Sequence, residues 1–204
     1  MKTDTTAEQR RQRRTLILLA LIFAAPVTLA WLLFNYTQFG RGDGSTSHGQ
    51  LISPPRQLAD VALTDPGNAG ARASLYGKWS LIYLVDGECG RQCEQNLYRL
   101  RQIRLAQGKH ARRVQRVLLD LGPGHVSLSP RQLRDYAGQL VADPEDAGGL
   151  LARFRLAQGD NPLAAGRTYI VDPRGFLMMS YAPDADPGGI IDDLRHLLRY
   201  SGVG

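Results

Sequence analysis

The 204-residue chain lacks the residue patterns on which most hydrolases and nucleotide enzymes are built. There is no His-Glu-x-x-His pair to hold a catalytic zinc and no Gly-x-Ser-x-Gly turn to expose a serine nucleophile. There is likewise no Gly-x-Gly-x-x-Gly or phosphate-cradling loop to hold a nucleotide. Internal repeats are absent, and only one short stretch is of low complexity. The formal charge of +6 invites a nucleic-acid partner. The arginines are nevertheless interleaved with carboxylates and carry no aromatic stacking pattern, which sets that partner aside. Cysteine is confined to two residues, Cys89 and Cys93, so any thiol chemistry belongs to that pair.

What is present begins with a long apolar run. Thr15 to Phe34, TLILLALIFAAPVTLAWLLF, contains no charged residue. As a helix rising about 1.5 Å per residue it covers roughly 30 Å, the hydrocarbon thickness of a bilayer. Pro26 in its middle is tolerable in a membrane helix. Arg10, Arg11, Arg13 and Arg14 precede the run, and Trp31, Phe34 and Tyr36 close it at interface depth. The positive-inside rule then keeps residues 1–14 in the cytoplasm and sends the chain from 35 onward across the membrane. The run exceeds the apolar core of a cleaved signal peptide, and no lipobox cysteine follows it. Residues 35–50, NYTQFGRGDGSTSHGQ, read as a flexible tether in which His48 is solvated. Residues 51–204 form one exported domain.

Within that domain, strand-like and helix-like blocks alternate. Leu58 to Asp65 alternates as a short strand, and a turn follows over Asp65–Gly70. WSLIYLVD (79–86) and VQRVLLDL (114–121) are near-continuous apolar runs, the mark of strands buried on both faces. Residues 89–107 place Leu97, Leu100, Ile103 and Leu105 among polar residues, as a helix lying on a sheet does. Ser129 and Pro130 open a second helix as N-cap and first-turn proline. A further helical piece spans about Glu145 to Phe154. RTYIVD and FLMMSYA read as a hairpin around Pro173-Arg174-Gly175, and an amphipathic helix ends the chain. This is an α/β domain with a mixed sheet.

Cys89 and Cys93 fall where the first buried strand hands over to a helix. Amide groups and the dipole at a helix start favour thiolate over thiol. Glu88 opposes that effect and Arg91 assists it. Side chains four apart on a helix lie about 5–6 Å apart at Cβ, so a disulfide requires the first turn to loosen. Three readings stay open at this point: a reversible disulfide, two arms of a soft-metal clamp suited to Cu(I) or Zn(II), and a structural bridge or buried pair.

The exported part resembles the Sco/SenC family, membrane-anchored thioredoxin-fold proteins that assist assembly of cytochrome c oxidase and its copper centre. The resemblance rests on several matches in order. They are an anchor and tether before LADVALTD, GKWSLIYLVDGECGRQC with its C-x-x-x-C, VLLD followed by LSPRQLRDY, and TYIVDPRGFLMMSYAPDADPGGIIDDLRHLL. It implies a thioredoxin-like mixed sheet flanked by helices, in the periplasm of a bacterial inner membrane. It also implies oxidase subunits or other assembly factors as partners. Cys89 and Cys93 are the implied reactive pair, both as thiols in exchange and as ligands to copper.

Two departures are visible. The family's copper-ligand histidine lies shortly before the strand that reads TYIVD here, and GDNPLAAGR (159–167) contains none. Gly90 stands where the family has a proline beside the first cysteine. Of the other histidines, His110 is expected in a polar turn, His125 in the loop after Asp120 and His196 on the surface of the last helix. Met178 and Met179 alternate on a strand, so no more than one faces the core. The expected order of function is thiol–disulfide exchange first, Cu(I) carriage second and a non-catalytic tethered scaffold third.

Overall fold

The computed structural model describes residues 4–36, 47–58, 61–68, 72–122, 125–142, 144 and 146–201. The chain divides into two compact units, Met1–Ser45 and Thr46–Gly204. The first unit is one helix, α1 (Asp4–Tyr36), which runs through Pro26. All of its described side chains are exposed. The hydroxyls of Thr15 and Thr28 donate to carbonyls one turn back, so they need no outside partner. Among the described residues no helix is long and apolar enough to cross a membrane. The side chains of residues 4–10, Gln12, Ala30 and 33–36 of this helix lie outside the description, and a membrane span over Thr15–Phe34 is an expectation from the sequence. Most of the tether, 37–46, also lies outside it.

The second unit is built on an eight-stranded sheet in the order β1-β8-β7-β4-β5-β6-β2-β3. The strands are β1 (Gln50–Gln57), β2 (Ala62–Thr64), β3 (Arg72–Ser74), β4 (Trp79–Val85), β5 (Val114–Asp120), β6 (Gln139–Ala142), β7 (Thr168–Val171) and β8 (Phe176–Tyr181). The helices are α2 (Arg91–Leu105), α3 (Pro130–Asp135), α4 (Ala147–Phe154) and α5 (Pro187–Tyr200). The strands β4, β5 and β6 are parallel, and β7 runs antiparallel between β4 and β8. Both central strands, β4 and β5, are buried at every position, as their near-continuous apolar runs predict, and β5 takes Gln115, Arg116 and Asp120 inside with it.

The sheet separates two apolar layers. Leu81, Tyr83 and Val85 of β4 point into the layer covered by α2 and α5, with Leu97, Leu100, Ile103, Ile190 and Leu194. Ile82 and Leu84 point into the other, with Phe154 of α4 and Tyr169 of β7, whose rings meet edge to face at 4.9 Å. Local chemistry fixes the element ends. Ser129 caps α3 in a complete capping box with Gln132, with Pro130 in the first turn. Asp186 caps α5. The β7–β8 hairpin turns at Gly175, whose φ of 82° suits a residue without Cβ, and the Asp172 carboxylate receives the N–H groups of Arg174 and Phe176.

Several sequence expectations need correction. The Leu58–Asp65 strand shrinks to β2, and the N–H of Leu58 donates to Gly175 instead. Three strands, β1, β3 and β6, went unread. Pro54 and Pro55 disguise β1, which is tolerated because it is an edge strand whose register with β8 shifts across the prolines. His48 is solvent-exposed as expected, its side chain 59% exposed, but it does not lie in a tether. It begins the compact unit, its backbone N–H donating at 2.8 Å to the Asp193 carboxylate and its ring Nδ1 3.2 Å from the other oxygen. Asp193 also receives the Gly49 N–H and the Tyr181 hydroxyl. Its side chain is 4% exposed. Burial and this carboxylate push the Tyr181 hydroxyl far up, keeping it a donor throughout the accessible pH range.

Removing the Asp193 carboxylate leaves three donors without their acceptor. Asp193→Ala is expected to cost about 2–4 kcal/mol in unfolding free energy. Tyr181→Phe is expected to cost about 1 kcal/mol, because it removes one donor and orphans none. Chemical denaturation followed by fluorescence of the buried Trp79 measures both.

Candidate functional site

The buried strand β4 ends at Val85, and the chain leaves it through Asp86-Gly87-Glu88-Cys89 before Gly90 caps α2. Gly87 takes φ 77°, which permits the sharp exit. The turn is anchored from β5. Asp120, 1% exposed, accepts the N–H of Gly87 at 3.4 Å and that of Gly122 at 3.1 Å through one oxygen. Gly122 is packed so closely that a Cβ there would lie 1.8 Å from the Asp86 side chain. From the other side, the Gln132 amide donates to the carbonyl of Cys89 at 3.3 Å. Its carbonyl oxygen meanwhile accepts the Ser129 N–H. The α3 cap thus also holds the first cysteine.

Cys89 and Cys93 form a disulfide with Cα atoms 5.1 Å apart. Cys89 precedes the helix and Cys93 sits in its first turn, so the pair avoids the four-apart helical spacing that the sequence suggested. The two sulfurs differ in access. Cys93 is 6% exposed and packs in the layer beneath α2, whereas Cys89 is only half-buried, with Val126 and Leu133 packed against the same layer. Gly90 supplies no side-chain cap, leaving the first-turn amides of α2 open to a thiolate. Glu88 and Arg91 are both exposed. Below the pair, burial pushes the Tyr83 hydroxyl up, and its hydrogen bond to Asn96 partly offsets this, so it stays protonated at neutral pH.

The approach to β7 lies at the same end of the sheet, since Thr168 pairs with Tyr83 on β4. Where the resemblance expects a histidine, this segment carries an ion pair, Arg167 donating to Asp160 at 2.7 Å. The N–H of Leu156 holds the Asp160 carboxyl below its ordinary value; burial opposes this and Arg167 adds to it. Gly166, at φ 60°, sets the turn before Arg167.

The other expected residues lie elsewhere. His110 is half-buried in a short 3-10 helix (Gly108–Arg113), and His125 is exposed in the loop after β5. His196 is exposed on α5, with its ring 4.6 Å from that of Tyr200. Met179 is buried in the core and Met178 half-buried at its margin. Among the described residues no three or more His, Cys, Asp or Glu side chains come together to hold a metal. Two residues that sequence reasoning missed, Asp120 and Gln132, position the cysteine loop. The S-x-x-Q box was legible as a cap, but its reach to Cys89 depends on tertiary packing.

A central strand that delivers a bonded cysteine pair to the start of a helix, with an antiparallel hairpin beside it, defines a thioredoxin-like domain. Residues 79–201 match the family model described as the transmembrane-like, thioredoxin-like C-terminal domain, and the chain belongs to that family. Its structural neighbours include Sco/SenC proteins. Yeast Sco1 superposes with a TM-score of 0.53 at 19% identity, covering 73% of this chain and 99% of that one. Yeast Sco1 with copper bound gives 0.51 at 18% identity, covering 72% and 95%. BsSco, a Sco protein in which a disulfide switch was identified, gives 0.51 at 13% identity, covering 72% and 96%. These likenesses establish a shared fold. Comparison with curated proteins gives no significant match.

Two outcomes are expected. In the reduced protein Cys89 is alkylated by iodoacetamide about tenfold or more faster than Cys93, as peptide mass mapping over time resolves. The Asp160 pairing stabilises the fold above the ordinary carboxylate range near pH 4, and this is lost as pH falls through the lowered native value. Asp160→Asn is therefore expected to flatten the acid side of the stability–pH curve by up to about one proton.

Proposed function

We propose that this protein is a membrane-anchored thiol–disulfide exchange factor acting on proteins of the cytochrome c oxidase assembly route. The observation that carries the exchange reading is the unequal exposure of a bonded pair at the end of β4, Cys89 half-buried and Cys93 at 6%. In the reduced form, the Cys89 thiolate attacks one sulfur of a partner disulfide. A Cys89–partner mixed disulfide forms and one partner thiolate leaves. The Cys93 thiolate then attacks the Cys89 sulfur, restoring the internal disulfide and releasing the second partner thiolate. Two electrons pass to the partner, and the reverse sequence oxidises a partner dithiol. First-turn amides of α2 favour the thiolate in either direction.

The anchor is Thr15–Phe34, supported by a helix whose described apolar side chains find no partner within their own unit. With the arginines inside, residues from about 35 onward face the periplasm of a bacterial inner membrane. The oxidase context comes from the family resemblance, supported by the fold shared with BsSco, a member of the Sco family of cytochrome c oxidase assembly proteins. Copper carriage is set behind exchange, because GDNPLAAGR (159–167) has no histidine where the family resemblance expects the third ligand.

The decisive test is trapping in membranes. Cys93→Ser is expected to accumulate a mixed disulfide between Cys89 and a partner protein, visible as a reducible band on a non-reducing gel. Cys89→Ser should trap at least about tenfold less. If neither variant traps a partner and the native disulfide resists a mild dithiol, the exchange reading is wrong and a structural bridge remains.

A further inference from the structure

The buried face of β5 beneath α2 holds a cation to which no carboxylate is hydrogen-bonded among the described residues. Arg116 is 3% exposed. Its Nη2 donates to the carbonyl of Ala137 at 2.7 Å, but Nε and Nη1 are buried with no hydrogen-bond partner among the described residues. Gln139, directly across the β5–β6 pair from Arg116, leaves its own side-chain oxygen buried with no partner among the described residues. Arg104 enters the same place from α2, its Nε donating at 2.7 Å to the carbonyl of Val114, two residues from Arg116 on the same strand face. Arg101 stands one turn earlier on α2 and is exposed. Both arginines repel Arg116, and Asp65, the carboxylate acting against them, exerts the weakest influence of the three. No carboxylate is hydrogen-bonded to any of the three guanidinium groups among the described residues.

A buried guanidinium with unpaired donors is unfavourable unless acceptors satisfy them, and an anion offsets its charge as well. Loss of the proton does not relieve it. Burial and the two like charges lower Arg116 only to about 10, so the charge persists at neutral pH. An oxyanion would relieve it, because guanidinium donors match phosphate oxygens in spacing and direction. We propose that Arg101, Arg104 and Arg116 form a binding site for a phosphate-type oxyanion, with Arg116 as its floor and Arg101 and Arg104 as its rim. Free phosphate and the phosphodiester head of an anionic lipid share this chemistry. The site uses no cysteine and stands or falls separately from thiol exchange.

The test uses the full chain in a non-ionic detergent, with sodium phosphate varied over the millimolar range at constant ionic strength. The melting temperature is expected to rise saturably. Arg101→Gln should raise the half-saturating concentration about tenfold. Arg116→Met should abolish the response, and in phosphate-free buffer it should melt above wild type because an uncompensated buried charge is gone. A wild-type protein with no saturable rise overturns the proposal, as does a response unchanged in both variants. So does Arg116→Met melting below wild type without phosphate, the mark of an arginine already satisfied by buried water. Phosphate-free nanodiscs separate the two sources. If adding phosphatidylglycerol to phosphatidylcholine raises the melting temperature of wild type but not of Arg116→Met, the ligand is a lipid head. If it does not, beside a full response to phosphate, the ligand is the free anion.

Discussion

A strand buried on both faces has to shed its polar connections at its ends, and β4 does so at the cysteines. Leu81, Tyr83 and Val85 commit one face to the layer under α2, and Ile82 and Leu84 commit the other to the layer with α4. With both faces occupied and hydrogen-bonded neighbours on each side, the strand has no freedom to slip. Its exit turn is therefore delivered to a fixed point, where Asp120 and Gln132 hold the backbone on either side of Glu88. The difference in exposure between Cys89 and Cys93 follows from that placement.

The buried polar groups divide into two kinds. Asp193 is saturated, with donors from His48, Gly49 and Tyr181, and it joins the start of the compact unit to its last helix. Asp160, half-buried, is similarly met by Leu156 and Arg167. Such groups act as rivets, costly to remove and chemically quiet. Arg116 is of the other kind, with donors and charge left over after local structure has taken what it needs. Asp120 belongs partly to both, since one oxygen holds two amides while the other is buried without a partner among the described residues.

Much of the layout was legible because the strongest signals were local. The runs at 79–86 and 114–121, the Ser129-Pro130 cap, the Pro173–Gly175 turn and the final amphipathic helix all appear as elements where periodicity and turn chemistry put them. The strands that escaped notice are held mainly by their neighbours. The proline pair hides β1, while β3 and β6 are only three and four residues long. At the site, the cysteine pair and its place at a helix start could be read from the chain. The contributions of Asp120 and Gln132 could not, because they arise from contacts across 33 and 43 residues. His48 was misplaced for the same reason, its acceptor lying 145 residues away.

The two prolines of β1 have a consequence beyond register. Neither Pro54 nor Pro55 has an N–H, so the outer border of the sheet on that side is broken as a template for another strand. Neighbouring copies held at high density on one surface could then jostle side by side without zipping their sheets together, and each would remain a separate unit able to meet a partner on its own.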